Sequence, residues 1–300
     1  MDVYSIKNGK LVRVEEVKFN LEQDIQKICD ENLKTLFGLE VVKSQFTIKN
    51  FRIDTLAFDP EVNAFVIIEY KRNENFSVVD QGYAYLSLVL SNKAECVLAY
   101  NENRKKPIRK DDIDWTQTRV MFIAPSFTPY QVQSINFKDL PIELWEIKRY
   151  ANDTISIEQI EPLSASASIK TLPSKNKTIE KVDKEIKVYT EDEHLSGIPE
   201  DIKELYNKFK ALVLSIGSDI KIKPRKKYIA FVSKINFVSV EILKEGLNVN
   251  FNLKKSELND PKGLAKDVPS KDISYIKIKN DEDLDYIVSL VKQSYEKNSA

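Results

Sequence analysis

The segment Phe51 to Arg72, FRIDTLAFDPEVNAFVIIEYKR, puts Asp54, Glu69 and Lys71 where a pair of strands should be burying itself. Side chains alternate along a strand, so Glu69 and Lys71 share a face with Phe65 and Ile67, while Val66, Ile68 and Tyr70 fill the other. Both faces begin apolar, as suits a central strand. A symmetric turn between Phe58 and Phe65 would set Phe58 opposite Phe65, Leu56 opposite Ile67, Asp54 opposite Glu69 and Arg52 opposite Lys71. Carboxylates directly opposed stand about 5 Å apart at Cβ and repel unless a proton or cation lies between them. A hard divalent cation, Mg²⁺ or Mn²⁺, resolves that conflict through oxygen ligands, which makes Asp54, Glu69 and the Tyr70 carbonyl the candidate metal ligands. Lys71 would then face the bound water and a scissile phosphate, where its ammonium can orient the water or neutralise developing charge. The outline is phosphodiester hydrolysis.

These residues need two strands, a rigid turn and helices to back them. Val3 to Ile6 and Leu11 to Val17 flank the turn signal Lys7-Asn8-Gly9 and read as a hairpin. Asn20, with Gln23 three residues on, reads as the cap of a helix that carries Ile25, Ile28, Leu33 and Leu36 as far as Gly38. Strands follow around Val41 to Phe46, Phe51 to Phe58 and Ala64 to Lys71, then a helix from about Val78 to Leu90. Glu95 to Tyr100 and Arg119 to Ala124 read as short buried strands. A helix near Tyr130 to Phe137 precedes strands around Ile142 to Tyr150 and Thr154 to Ile160. The pattern is an α/β domain with a mixed sheet flanked by helices.

With the elements in place, the acidic residue on one strand and Glu69-Tyr70-Lys71 on the next resemble the PD-(D/E)XK nuclease superfamily. The likeness is nearest to its RecB-like and NucS-like branch, in which a helix after the lysine strand carries Gln and Tyr one turn apart. Gln81 and Tyr85, in DQGYAYLSL, match that pair, and their spacing of four puts them on one helix face. The resemblance implies a restriction-endonuclease-like fold, a metal-dependent nuclease activity, and a first-helix glutamate near the metal. Glu22 and Glu31 compete for that last role; at 100° per residue Glu22 falls within the arc of Ile25, Cys29, Leu33 and Leu36, and Glu31 outside it. The likeness covers roughly residues 17 to 125. One departure is Ile53 before Asp54, where the superfamily commonly has Pro.

Length and composition frame the rest. Three hundred residues with 42% hydrophobic and 31% charged content suit two globular domains. Lys and Arg number 46 against 46 Asp and Glu, so any basic surface is local. Arg52, the loop cations Arg104, Lys105 and Lys106, and the cluster Arg225, Lys226 and Lys227 are the candidate nucleic-acid contacts, with DNA the preferred partner. Cys29 and Cys96 are far apart and make neither a disulfide framework nor a zinc cluster, which leaves a cytoplasmic location as the expectation. No stretch has the apolar length of a membrane span. The only histidine, His194, excludes chemistry that needs two imidazoles.

The expected division is a nuclease-like domain over 1–160, a Ser/Thr/Lys-rich linker over 161–191, and a smaller α+β domain over 192–300. The last resembles, over about 190–297, an uncharacterised domain found behind nuclease-like domains in so-called predicted transport proteins, and the likeness assigns it no chemistry. A homodimer or a protein partner through this domain stays open. The competing classes are a non-catalytic nucleic-acid-binding module on the same fold and a protein-interaction scaffold.

Overall fold

In the computed structural model, which describes residues 2–73, 76–102, 107–137, 139–161, 168, 177–269 and 271–299, the run Ala64–Tyr70 is buried at every position. Such a strand must be central, with cover on both faces. The chain divides into two units, Met1–Val188 and Tyr189–Ala300.

The first unit opens with the ribbon β1 (Val3–Lys7) and β2 (Lys10–Val14), turned through Asn8 and Gly9 at φ 51° and 76° as a two-residue hairpin requires. β3 (Glu16–Val17) leads to α1 (Glu22–Glu31) and α2 (Leu33–Phe37). The helix begins one residue later than Asn20 implied: Leu21 is the cap, and its N–H is taken by the Asp24 carboxylate at 3.0 Å rather than by a box through Gln23. It is also interrupted at Asn32, whose amide bonds back to the Ile28 carbonyl, before Gly38 closes α2 in the left-handed region at φ 69°.

β4 (Glu40–Ile48), β5 (Phe51–Asp59) and β6 (Ala64–Tyr70) form an antiparallel meander. α3 (Val78–Ser91) starts at the cap Ser77 and is followed by α4 (Lys93–Asn101). The segment Glu95 to Tyr100 is thus helix rather than strand; it buries Cys96 and Ala99 and leaves Leu98 63% exposed, a helical spacing that a short apolar run conceals. β7 (Arg119–Ala124), α5 (Pro129–Ser134), β8 (Ile142–Tyr150) and β9 (Ile155–Ile160) complete the sheet, with β6, β7 and β8 parallel. The order is β3-β8-β7-β6-β5-β4, with β9 on β8, so the sheet is mixed, as expected.

α1 and α2 cover one face through Ile25, Cys29 and Leu33 against Ala57, Val66 and Ile68. The other face packs Leu56, Phe65, Ile67 and Phe122 under α3, α4 and α5. Part of the stretch read as a linker is α6 (Lys177–Glu185), which lies on α3 and buries Val182. Its Asp183 accepts from the Tyr83 hydroxyl at 3.0 Å.

The second unit comprises α7 (Glu191–Leu195), α8 (Glu200–Leu214), β10 (Lys221–Pro224), β11 (Ile229–Val232), β12 (Asn236–Leu243), β13 (Gly246–Phe251), β14 (Lys266–Asp267), β15 (Ser274–Ile278) and α9 (Leu284–Ser299). Its six-stranded antiparallel sheet runs β10-β11-β12-β13-β15-β14, with α8 and α9 packed on it around Phe209, Val240, Val249 and Leu290. β10, β14 and β15 were not anticipated from sequence.

Across the first unit's sheet, Arg119 pairs with Asp59 (Nη1 to Oδ2, 3.0 Å) and Glu143 (Nε to Oε1, 3.0 Å), so one buried guanidinium joins β5, β7 and β8. Burial alone would depress its pKa, yet the two carboxylates overcome that and raise it. Arg119→Met should therefore cost about 3–5 kcal/mol by stranding both acids, read as a lower urea midpoint.

Candidate active site

β5 and β6 pair as the sequence register requires at Phe58–Phe65 and Leu56–Ile67, and the ladder ends at Thr55–Ile68. One residue further, Asp54 does not complete a backbone pair with Glu69. Its Oδ2 instead accepts from the Tyr70 N–H at 3.0 Å, so the carboxylate takes the place of a ladder acceptor where the strands part. Alternation keeps Asp54, Glu69 and Lys71 on the face that α3 covers. Lys71 follows directly, its N–H held by the Ile123 carbonyl at 2.9 Å.

The Lys71 ammonium reaches Glu69 Oε1 at 2.6 Å and lies 5.6 Å from the centre of the Phe76 ring. Gln81 Nε2 donates to the same Glu69 oxygen at 3.1 Å and lies 3.0 Å from the Tyr85 hydroxyl. α3 can deliver both because Gly82 lets it sit against the sheet: a Cβ there would stand 2.5 Å from Ile142 Cδ1. Glu22 is exposed at the start of α1, and its Oε1 accepts the Arg72 N–H at 3.1 Å. Arg72 in turn donates through its guanidinium to the Asn20 carbonyl, tying the strand end to the helix start. Glu31 is exposed near the far end of α1.

The acids are held in an unfavourable state. Burial pushes the Asp54 carboxyl above its ordinary range; the Tyr70 N–H and Lys71 pull it back, while Glu22 adds to the rise and Arg52 opposes it. Glu69, only 5% exposed, is pushed up by burial and by Asp54, against Lys71 and Tyr85. Glu69 Oε2 is buried with no hydrogen-bond partner. An orphaned carboxylate oxygen beside a second acid is a demand for a proton or a cation. Hard oxygens of this kind suit Mg²⁺ or Mn²⁺. Among the described residues no three His, Cys, Asp or Glu side chains converge as a metal cluster, so the fit rests on these two acids with the Tyr70 carbonyl.

Glu22, Asp54, Glu69, Lys71, Gln81 and Tyr85 are thus linked through direct contacts or mutual charge. Arg52 is exposed on β5 and close enough to lower Asp54. Arg104, Lys105 and Lys106 lie outside the described residues. Arg225, Lys226 and Lys227 sit at the β10–β11 connection of the second unit, where the Arg225 carbonyl meets His194 Nε2 at 2.7 Å. Sequence reasoning missed Gln26 and Asp30 of α1, which contact the site strands, and Thr55 of β5, whose hydroxyl donates to Asp30. The one signal for them was polar spacing of four, Gln26 to Asp30, between the buried positions of α1.

Compared with known proteins, residues 191–298 match a family described as a domain of unknown function, DUF5655, a description that names no transport activity. An uncharacterized protein of Haemophilus influenzae is 45% identical over 299 residues, covering 98% of this chain and 99% of the other. A repair endonuclease from Pyrococcus abyssi overlaps at 17% identity and a TM-score of 0.20, over 38% of this chain and 42% of that one. The chain in a structure of an EndoMS–dsDNA2 complex overlaps at 16% identity and 0.21, over 40% and 43%. This chain therefore spans about two fifths of either solved chain, and overlaps at such scores do not extend to the fold as a whole.

A carboxyl whose pKa is raised by folding weakens the fold once ionised; its contribution is most favourable at low pH and is lost as pH rises through the raised value. Glu69→Gln should accordingly stabilise the metal-free protein at pH 7.5 by about 0.5–2 kcal/mol. The gain in urea midpoint over wild type, measured in chelator, should shrink as pH falls through the raised carboxyl range.

Proposed function

We propose that this chain, which belongs to one family with the Haemophilus influenzae protein along its whole length, is a metal-dependent nuclease that hydrolyses phosphodiester bonds, with DNA as preferred substrate. The observation that carries the reading is the buried, unpartnered Glu69 Oε2 beside Asp54, with the Lys71 ammonium on its sister oxygen. Asp54, Glu69 and the Tyr70 carbonyl would hold Mg²⁺ or Mn²⁺. Such an ion, when bound, supplies a water of lowered pKa and polarises a phosphoryl oxygen.

The chain's own groups do the rest. Lys71 orients the attacking water and offsets charge that develops on the phosphate. Gln81 fixes Glu69 Oε1 from α3, and Tyr85 fixes Gln81, so the acid cannot turn its free oxygen away. Glu22 adds negative charge at the helix entry and holds the backbone just past Lys71. Arg52 beside the site, Arg104, Lys105 and Lys106, and Arg225, Lys226 and Lys227 in the second unit are the proposed contacts to the nucleic-acid backbone. A cytoplasmic location belongs to the same proposal; both cysteines are free and buried, and no described helix is long and apolar enough to cross a membrane.

One observation favours a second reading, a nucleic-acid-binding module: among the described residues no three His, Cys, Asp or Glu side chains converge to hold a metal, and Glu22 acts on Asp54 through charge alone. The two readings part on turnover. Incubated with duplex, single-stranded and branched DNA and Mg²⁺ or Mn²⁺, the wild type should cleave. Glu69→Ala and Lys71→Ala should each lose about 10²–10³-fold or more, as when a preorganised charge-stabilising group is removed. Chelation of the metal should abolish cleavage. Equal cleavage by all three proteins would defeat the nuclease reading, and undiminished DNA affinity without any metal-dependent turnover would favour the binding module.

A further inference from the structure

The strand end that carries Asp54 and Glu69 is held from behind. On the α1 face Asp30 collects the hydroxyls of Tyr70 (Oδ1, 2.8 Å), Thr55 (2.8 and 2.9 Å to its two oxygens) and Ser44 (Oδ2, 2.6 Å). Gln26, one turn earlier, donates through Nε2 to the Asp54 carbonyl at 2.8 Å, to Thr55 Oγ1 at 3.2 Å and to Asp30 Oδ2 at 3.3 Å. Gln26 Oε1 is itself fixed by Gln45 Nε2 at 2.7 Å. Thr55 and Tyr70 are essentially sealed from solvent, with exposures of 0% and 1%.

The bonds to Thr55, the Tyr70 hydroxyl and the Asp54 carbonyl fall where the β5–β6 ladder ends, and those to Ser44 and Gln45 reach β4. Thr55 belongs to the last backbone pair, and beyond it the strands are joined by the Asp54 carboxylate on the Tyr70 N–H. β6 stays paired with β7 through Glu69 and Tyr70, and β5 with β4 on both sides of Asp54, so what the side chains of α1 hold is the seam between β5 and β6, where strand pairing has ended. Tyr70 stands between Glu69 and Lys71, and its own carbonyl is the third candidate ligand. Anchoring its ring at Asp30 fixes the peptide on both sides at once. Gln26 does the same for Asp54 through that residue's carbonyl.

We infer that Asp30, with Gln26, Thr55 and the Tyr70 hydroxyl, forms a positioning network that sets the spacing of the Asp54 and Glu69 carboxylates for a divalent cation. The inference rests on the nuclease reading only in taking that pair as the metal site. These residues touch neither cation nor substrate. Their contribution is to keep two repelling acids aimed at one point, a task that partners behind metal ligands commonly perform at a cost of about 10–100-fold in affinity when removed.

The test is Mn²⁺ binding to the full chain without nucleic acid, followed by electron paramagnetic resonance at a temperature where circular dichroism shows every variant folded. Asp30→Asn, Tyr70→Phe and Thr55→Val should each weaken Mn²⁺ by about tenfold or more. Thr55→Ser, which keeps the hydroxyl and removes only a methyl group, should bind as the wild type does, and this rescue separates the hydrogen bond from packing. Wild-type affinity in Asp30→Asn and Tyr70→Phe would overturn the inference while leaving the metal site standing. A wild type that takes up no Mn²⁺ at millimolar concentration, matching Glu69→Ala, would overturn the metal site and the inference together.

Discussion

Burying two like charges at the end of an apolar strand is the constraint around which the first unit is arranged. Taking a carboxylate out of water costs several kcal/mol even after relaxation, and a second acid alongside adds repulsion. β6 accepts that cost at Glu69, after five residues that are fully enclosed. Lys71 and Gln81 on one oxygen do not discharge it, since the other oxygen is left without a partner and the carboxyl stays raised. Arg119 makes the contrast within the same sheet, where two acids converge on one guanidinium and the charges cancel locally. Charge is balanced at Asp59 and Glu143 and is not at Glu69, which is where the first unit departs from local polar satisfaction.

The surroundings follow from the need to keep that arrangement from relaxing. α3 brings Gln81 to Glu69 with Gly82 in close contact with Ile142, and α6 covers its outer side through Val182 and Asp183. The opposite face is closed by α1, whose apolar side holds the core and whose Gln26 and Asp30 hold the strand ends. The pair of acids is thus gripped from both faces of the sheet. Glu69 cannot swing away without losing both Lys71 and Gln81, and Asp54 cannot without losing the Tyr70 N–H, which is what preorganisation requires.

Much of this was legible in the sequence, for identifiable reasons. The period of two along FRIDTLAF and AFVIIEYK, with a five-residue turn between them, was enough for the Phe58–Phe65 and Leu56–Ile67 pairs and for the shared face of Asp54, Glu69 and Lys71. Period says nothing about where a ladder stops, so the transfer of the Asp54 carboxylate to the Tyr70 N–H was invisible. ECVLAY is too short for its helical spacing to declare itself, and α6 buries one face of an otherwise charged sequence that composition assigns to a linker. Gln26 and Asp30 lay beyond reach for another reason. Their bonds to Asp54 and Tyr70 join residues 28 and 40 apart, and only the packing of α1 against the sheet decides which polar side chains of a helix meet a strand.

The second unit has a core of its own, built on one face of a sheet that shares no strand with the first. Its lone histidine is engaged with the backbone carbonyl of Arg225, and several of its acids are tied to lysines and tyrosines, as Glu191 is to Lys210 and Tyr206. Groups already paired in this way hold a structure together and have little left to offer a reaction. The acids of the first unit differ in kind: Asp54 and Glu69 are raised, partly buried and incompletely partnered, and two helices hold them in that condition. The proposed chemistry is therefore assigned to these two acids of the first unit.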